Sequence, residues 1–390
     1  MAKKILILGG GTGGYIALRG IHKAKEQIGL DAEVTMLTAS PWHDFQPLYA
    51  DLAFGMVDRD KIRASVENFK RLGARIVVDR ATRIDAANRL VHTEAGDTYP
   101  YDYLVVSLGT KYGWDAYPGL EQAGVHNYTM EAAEEMRREL ARFKGGKVVV
   151  LVPETPHRCG MYPYEAATHL AETFKNRGAQ IEVKLLSPGE MPLGPLGHEI
   201  SRAWRERMER VGVEYVPIKG LEEIDLEKKV VRAGNVEEKY DLLIKVPPSR
   251  LPDVLEQSEG FQWKMDGRFA PVKGYNFRHP DYDDVYMVGE HSMPPAGLPT
   301  AGIPVHYAAE VAANSIVADM VGAYPVYMPR GMIPCIGYYG LSAFAGFCEV
   351  RYNESEGRRV MKCYSIARSP LIRILKQAFY ESWISAIKMG

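Results

Sequence analysis

Cysteine is scarce: Cys159, Cys335, Cys348 and Cys363 are the four in a chain of 390 residues. That is too few for a disulfide scaffold, so they read as buried or chemical thiols. Charge imbalance is missing too. The net charge is −1, so no overall field draws nucleic acid or an acidic partner. No apolar run approaches the ~20 residues that span a bilayer. The opening MAKKILILGGG places two lysines before an apolar run, but glycines end that run at once. It reads as a first strand, not a signal peptide. No Cys/His spacing suits a metal, and no fixed-period repeat is visible.

What is present alternates. Strands are predicted at residues 4–8, 33–38, 75–79, 102–107, 147–152, 181–186, 241–246 and 284–288. Helices are predicted at 12–28, 60–72, 131–143, 163–177, 197–211 and 304–321. This order predicts an α/β fold with parallel sheets. Short alternating runs between residues 80 and 101 predict an antiparallel meander. The strand–helix order restarts near Lys147, which marks a second unit. From Tyr324 the pattern breaks into glycines, aromatics and cysteines, then ends in an apolar helix, a C-terminal appendage.

The first strand leads into Gly9-Gly10-Gly11-Thr12-Gly13-Gly14. Gly9, Gly11 and Gly14 fill G-x-G-x-x-G between a strand and a helix, the context a dinucleotide site requires. Glycines let the backbone approach a pyrophosphate, whose charge the helix N-terminus stabilises. An acid usually ends the second strand and holds a ribose; here Thr38 and Ser40 offer hydroxyls instead. Ser107-Leu108-Gly109 and Val288-Gly289-Glu290 end later strands in small residues, as a flat cofactor lying across strand tips needs. Together these favour FAD over NAD.

The second unit's first strand, VVVLV, meets no glycine loop. PETPHRCGMYPYE follows. Pro153, Glu154 and Pro156 neither flex nor welcome a phosphate, so this unit is expected to bind no nucleotide. Cys159 stands there instead, ahead of a helix opened by Pro163. Arg158, His157 and the helix N-terminus are expected to lower its pKa. On local sequence alone, a reactive thiol and a buried structural one remain equal alternatives. Cys348 and Cys363 have no such setting and read as ordinary buried thiols.

With these motifs in place, the chain resembles the two-dinucleotide-binding-domain flavoproteins. Within them it is most similar to the sulfide:quinone oxidoreductases and the flavoprotein subunit of flavocytochrome c sulfide dehydrogenase. The resemblance runs along essentially the whole chain. It rests on GGGTGG, on SLGT, and on the Cys159 loop with Tyr164-Glu165. VGEHSMPPAGLPTAG, Cys335 in MIPCIGYYG and the ending LKQAFYESWISAIKMG complete it. It implies two Rossmann-like (FAD/NAD(P)-binding type) domains plus a C-terminal membrane-docking appendage. Residues 1–112 and 275–323 would bind FAD, 113–274 would form the second domain, and 324–390 the appendage. The chain departs from the family at Tyr128, where a third cysteine often stands, and at Pro299, where the family has a lysine.

The resemblance also implies a mechanism. Cys159 and Cys335 would form a redox disulfide beside the flavin, opened by sulfide. Glu165 would handle protons, or would simply be a first-turn acid complementing the helix dipole. Gly9, Gly11, Thr12, Gly13, Gly14, Thr38, Ser40, Gly109, Gly289, Glu290, Thr300 and Gly302 would hold FAD. The helix starting near Thr300 would aim its N-terminus at the flavin in place of the lysine. Tyr338, Phe344, Phe347, Lys376 and Phe379 would frame a quinone, with Lys376 alternatively a solvated lysine. His291 and His306 read as core or surface histidines. A cytochrome acceptor, or a non-catalytic flavoprotein that binds sulfur, remains an alternative.

In residues 371–387, Leu371, Ile374, Leu375, Ala378, Phe379, Trp383, Ala386 and Ile387 share one helical face. That face would lie on a membrane, with Arg368, Arg373, Lys376 and Lys388 reaching lipid head groups and Trp383 at the interface; alternatively it caps the protein's own core. The expected location is a peripheral one on the cytoplasmic membrane face, with a homo-oligomer possible.

Overall fold

The structure, a computed structural model, describes residues 2–324, 330–339 and 342–389, with backbone alone at Arg330, Cys335, Ser365 and Ile366. Two parallel sheets organise the chain. The first has the order Val285–Met287, Tyr103–Val106, Lys3–Leu8, Ala32–Thr38, Ala74–Val78, with every pairing parallel. Ile5, Leu6, Ile7 and Leu8 are all buried, as expected of a strand covered on both faces. The chain starts mid-sheet, builds outward one way, then returns to build the other way. The crevice at that reversal, outside the strand ends, is where such sheets bind ligands. Helix α1 (Thr12–Ile28) starts there and ends at Gly29, whose φ of 65° closes the helix in a left-handed cap.

Residues 60–72, expected as one helix, divide. Strand Arg63–Ser65 pairs with Trp42–Asp44, and Val66–Leu72 forms a 3-10 helix capped by the Ser65 hydroxyl. That cap stops the strand and turns the chain, so Ile62, Val66 and Phe69 are buried without a continuous α-helix. A five-residue helix, α2 (Tyr49–Ala53), lies before it and is buried throughout. The expected meander is three antiparallel strands: Ala81–Asp85, Leu90–Thr93 and Thr98–Pro100.

Helix α3 (Met130–Arg142) leads to the second sheet, ordered Val213–Ile218, Ile181–Pro188, Gly146–Leu151, Leu242–Lys245 and again all parallel. Helices α4 (Tyr162–Asn176) and α5 (His198–Val211) cross over between its strands. A second antiparallel meander (Glu223–Asp225, Val230–Ala233, Val236–Lys239) precedes the short α6 (Asp253–Glu256). The chain then returns to the first sheet through Val285–Met287. Helix α7 (Gly302–Val321) packs on α1 so closely that a Cβ at Gly20 would lie 2.7 Å from that of Ala313.

The C-terminal region is more regular than its composition suggests. Arg330–Tyr339, Ser342–Asn353 and Arg358–Ser369 form an antiparallel sheet. Phe344, Gly346, Cys348 and Val350 point inward in strict alternation, a period of two. Cys348 and Cys363 stand opposite each other in this sheet and are joined as a disulfide. The reading of both as ordinary thiols is corrected: adjacent strands bring them side by side. Helix α8 (Pro370–Met389) closes the chain. No helix among the described residues is long and apolar enough to cross a membrane.

Candidate active site

The glycine loop forms a cradle at the tip of Lys3–Leu8. Gly9 has φ 102°, and a Cβ there would collide with the Ser107 carbonyl oxygen. One on Gly14 would collide with Gly9's own carbonyl oxygen, and one on Gly13 would lie 2.9 Å from Val305 on α7. At Gly11 a Cβ would meet nothing within 4 Å, so the loop is open there, just ahead of the α1 N-terminus. Gly109 and Gly289 face each other across neighbouring strand ends, where a Cβ on Gly289 would be 3.0 Å from the Gly109 nitrogen. Glu290 follows, buried. The Thr38 hydroxyl turns back onto the Ser40 carbonyl at 3.3 Å, and Ser40 Oγ accepts the Trp42 N–H at 3.1 Å. Three strand tips, one helix N-terminus and glycines with no room for side chains are a donor set that fits a dinucleotide diphosphate.

The Cys159 loop reaches this cradle. The Cys159 N–H donates to the Thr300 carbonyl at 2.7 Å, while the Thr300 hydroxyl donates to the His157 carbonyl. Arg158 pairs with Glu290 at 3.1 Å and donates to the Tyr112 hydroxyl. Thr300 lies two residues ahead of α7, so the Cys159 backbone is tied to the approach to that helix. Cys159 itself has φ 54°, a left-handed conformation costing about 1–2 kcal/mol for a residue with a Cβ. Tyr128 packs edge-on against Tyr112 and Tyr162 in the wall beside Arg158.

The electrostatics of this thiol differ from expectation. Its pKa is pushed up to about 11, first by burial and then by the Glu165 carboxylate. His157, expected to supply positive charge, is itself buried and its pKa falls to about 4. Desolvation outweighs the helix N-terminus here.

Glu165, on the first turn of α4, lies in a buried charged network. Lys376 of α8 approaches its Oε1 at 3.1 Å, and the Tyr338 N–H donates to the same oxygen at 2.5 Å. The Lys376 ammonium stands 3.7 Å from the centre of the Tyr338 ring. The Tyr338 hydroxyl donates to Asp51 of α2, whose Oδ2 has no hydrogen-bond partner among the described residues. Burial pushes the Asp51 pKa up to about 6 against the pull of Lys376 and Tyr338. The C-terminal sheet thereby meets α4. Gly337, two residues after Cys335, lies against Met161, two residues after Cys159. The Cys335 side chain lies outside the described residues.

The structure brings Tyr338, Lys376 and Glu165 together but scatters the aromatic candidates. Phe344 packs in the core with Trp204 and Tyr339. Phe347 is partly exposed in a row with Pro334 and Tyr364. Phe379 is on the surface of α8. Lys376 is buried, so it neither reaches lipid nor stands in solvent. Trp383 is also buried, stacked on Phe45 at 5.2 Å and edge-on to Tyr15 at 5.5 Å, not at an interface. His291 is fully buried and His306 pairs with Glu310 at 3.2 Å one turn along α7. No metal-ligating cluster occurs among the described residues. Sequence reasoning missed Asp51 and His43. Asp51 gave a signal, being the lone acid in the apolar run LYADLAF.

In the second unit, Glu154 stands in the loop that follows strand Gly146–Leu151. Its carboxylate takes Arg250 and Arg268, each at 2.6 Å, and the Tyr117 hydroxyl at 2.9 Å.

Comparison with known proteins agrees with this layout. The family model for pyridine nucleotide-disulphide oxidoreductases matches residues 3–302. The mitochondrial sulfide:quinone oxidoreductase of Dictyostelium discoideum is 28% identical over 315 residues, covering 77% of this chain and 68% of that protein. The type II NADH:quinone oxidoreductase Ndh of Mycobacterium tuberculosis is 23% identical over 377 residues, covering 88% and 80%. Among solved structures, the sulfide:quinone oxidoreductase of Aquifex aeolicus superposes with a TM-score of 0.81 at 21% identity, covering 100% of this chain and 92% of that one. With a family match across both parallel sheets and a cradle that fits the diphosphate, the chain belongs to the pyridine nucleotide-disulphide oxidoreductase family and is an FAD-binding oxidoreductase.

Proposed function

We propose that this chain oxidises sulfide at a Cys159–Cys335 disulfide and passes two electrons through FAD to a membrane quinone. The observation that carries this reading is the close approach of Gly337 to Met161, since Gly337 follows Cys335 by two residues, Met161 follows Cys159 by two, and the Cys159 N–H is bonded to Thr300. The relatives named above support sulfide and quinone as substrates.

In this reading hydrosulfide attacks one sulfur of the disulfide. That S–S bond breaks, a persulfide S–S bond forms, and the other cysteine leaves as a thiolate. The bound FAD supplies the two-electron acceptor. Glu165 takes the proton that sulfide gives up, with Lys376 holding the carboxylate in place. Arg158, locked by Glu290 and Tyr112, fixes the loop that presents Cys159. Thr38 and Ser40 would hold the cofactor ribose, Thr300 and Gly302 its flavin, and Tyr338 would line the quinone side.

NADH is the donor this reading excludes. Its diphosphate would have to displace the Glu154 carboxylate from two arginines, and the loop offers prolines where bare N–H groups are needed.

The acceptor follows from α8. Leu371, Ile374 and Leu375 are 61%, 60% and 58% exposed while Lys376 is 4% exposed. A helix that hides its lysine and shows its leucines is built to lie against apolar material. Phe379 continues this face, which docks on the membrane and receives the quinone. A cytochrome acceptor would not need it.

The cysteine assignment is tested by sulfide-driven flavin reduction in single variants. Cys159→Ser and Cys335→Ser should each abolish it, and Cys348→Ser and Cys363→Ser should leave it. Near-normal reduction in either of the first two refutes the assignment.

A further inference from the structure

His43 is fully buried in strand Trp42–Asp44, and both its ring nitrogens are engaged. Nδ1 lies 2.8 Å from the Gly10 carbonyl oxygen. Nε2 lies 3.3 Å from the indole Nε1 of Trp383 on α8. These two partners decide its tautomer. An indole N–H only donates and a carbonyl oxygen only accepts. Nε2 must therefore be the acceptor and Nδ1 must carry the hydrogen, which leaves the ring neutral. Burial favours the same neutral form by holding the pKa below its ordinary value. Phe69 packs edge-on against the imidazole at 5.7 Å and Tyr15 stands 5.9 Å away, so the ring has little freedom to turn.

Gly10 sits inside the dinucleotide loop. In a trans peptide the carbonyl and the following N–H point in opposite directions. Holding the Gly10 oxygen towards His43 turns the Gly11 N–H to the other side of that peptide plane. Gly11 is the loop residue at which a Cβ would meet nothing within 4 Å. A donor to the Gly10 carbonyl also polarises the peptide and strengthens its N–H as a donor.

We propose that His43 is a positioning residue for the FAD diphosphate: its Nδ1–H fixes the Gly10–Gly11 peptide so that the Gly11 N–H faces the diphosphate, and Trp383 holds the tautomer that makes this possible. The C-terminal helix thus supports the far end of the cofactor site. The role concerns cofactor binding alone and does not depend on which donor or acceptor the enzyme uses.

The test compares FAD with riboflavin, which has the same ring system and no diphosphate. Affinities of the full chain for each are measured by flavin fluorescence. His43→Leu should weaken FAD by about tenfold or more, the scale of a lost hydrogen bond plus a misaligned donor, and leave riboflavin within about twofold. His43→Asn, whose amide can donate to Gly10, should recover most of the loss. Trp383→Phe keeps the ring and removes the N–H, and should weaken FAD by roughly threefold to fivefold. Equal weakening of FAD and riboflavin by His43→Leu would mean a packing role and overturn the proposal, as would unchanged FAD affinity. If His43→Leu does not fold, the wild-type holoenzyme decides. Its ¹⁵N-histidine spectrum should show His43 with hydrogen on Nδ1, and hydrogen on Nε2 would overturn the assignment.

Discussion

Cys159 holds a backbone conformation that glycine adopts freely and other residues resist. The loop thus makes a glycine-like turn at a residue that carries a thiol. Strain of this kind persists where surrounding structure enforces it; here the clamps are Thr300 on the loop backbone and Glu290 on Arg158. Asp51 is a second costly residue. Its carboxyl pKa is about 6 in the folded protein, against roughly 4 in an unfolded chain. The folded state therefore binds that proton more tightly. The stabilisation is fully present below about pH 4 and is lost as pH rises through about 6. Asp51→Asn should thus be more stable than wild type at pH 8, by on the order of 1–3 kcal/mol. The advantage should shrink towards zero near pH 4. Urea unfolding of the holoenzyme at both pH values checks this, and a pH-independent difference would contradict it.

Helix α8 shows how far sequence pattern reaches at the level of an element. Its helicity and its apolar face were legible from spacing alone, but the face turned out to be two faces. Trp383 turns inward onto Tyr15 and Phe45 and Ile384 and Ile387 are buried, while Leu371, Ile374 and Leu375 stay outside. Periodicity reports that apolar residues share a stripe; it does not report where along the helix the core ends. Lys376 was unreadable for the same reason, because the partners that make its burial tolerable are remote in sequence, Glu165 lying 211 positions away. The C-terminal sheet was legible in principle. FAGFCEV alternates with period two, but glycines and aromatics masked the signal, and the pairing that makes Cys348–Cys363 a disulfide is non-local. The outward face of α8 makes its own prediction. Leu371→Lys combined with Ile374→Lys should leave folding and flavin content intact, because both side chains are exposed. It should weaken binding to liposomes by about tenfold or more, given roughly 1.5–3 kcal/mol for each apolar side chain buried. Flotation with vesicles measures this, and unchanged binding would remove α8 as the docking surface.

Across the whole molecule, two parallel sheets of like strand order are followed by different loops. The first keeps its glycine loop, and the sequence announced it because Gly9, Gly13 and Gly14 stand where a side chain would collide. The second keeps the strand order, and the loop after its first strand holds Glu154 paired with Arg250 and Arg268. That loop also carries Cys159, whose N–H is bonded to the Thr300 carbonyl, and Gly337 of the C-terminal sheet lies against Met161 two residues further on. The charged residues binding these parts, Arg158 to Glu290 and Lys376 to Glu165, come from distant segments, and no local pattern marked them as partners. The central claim is that electrons enter from sulfide at this junction and not from a nicotinamide in the second unit. The most direct measurement is the visible spectrum of the anaerobic wild-type holoenzyme after addition of sulfide or of NADH in separate experiments. Sulfide should bleach the flavin within the time of a turnover, a quinone should restore it, and NADH should leave it oxidised. Bleaching by NADH with no response to sulfide would contradict the account.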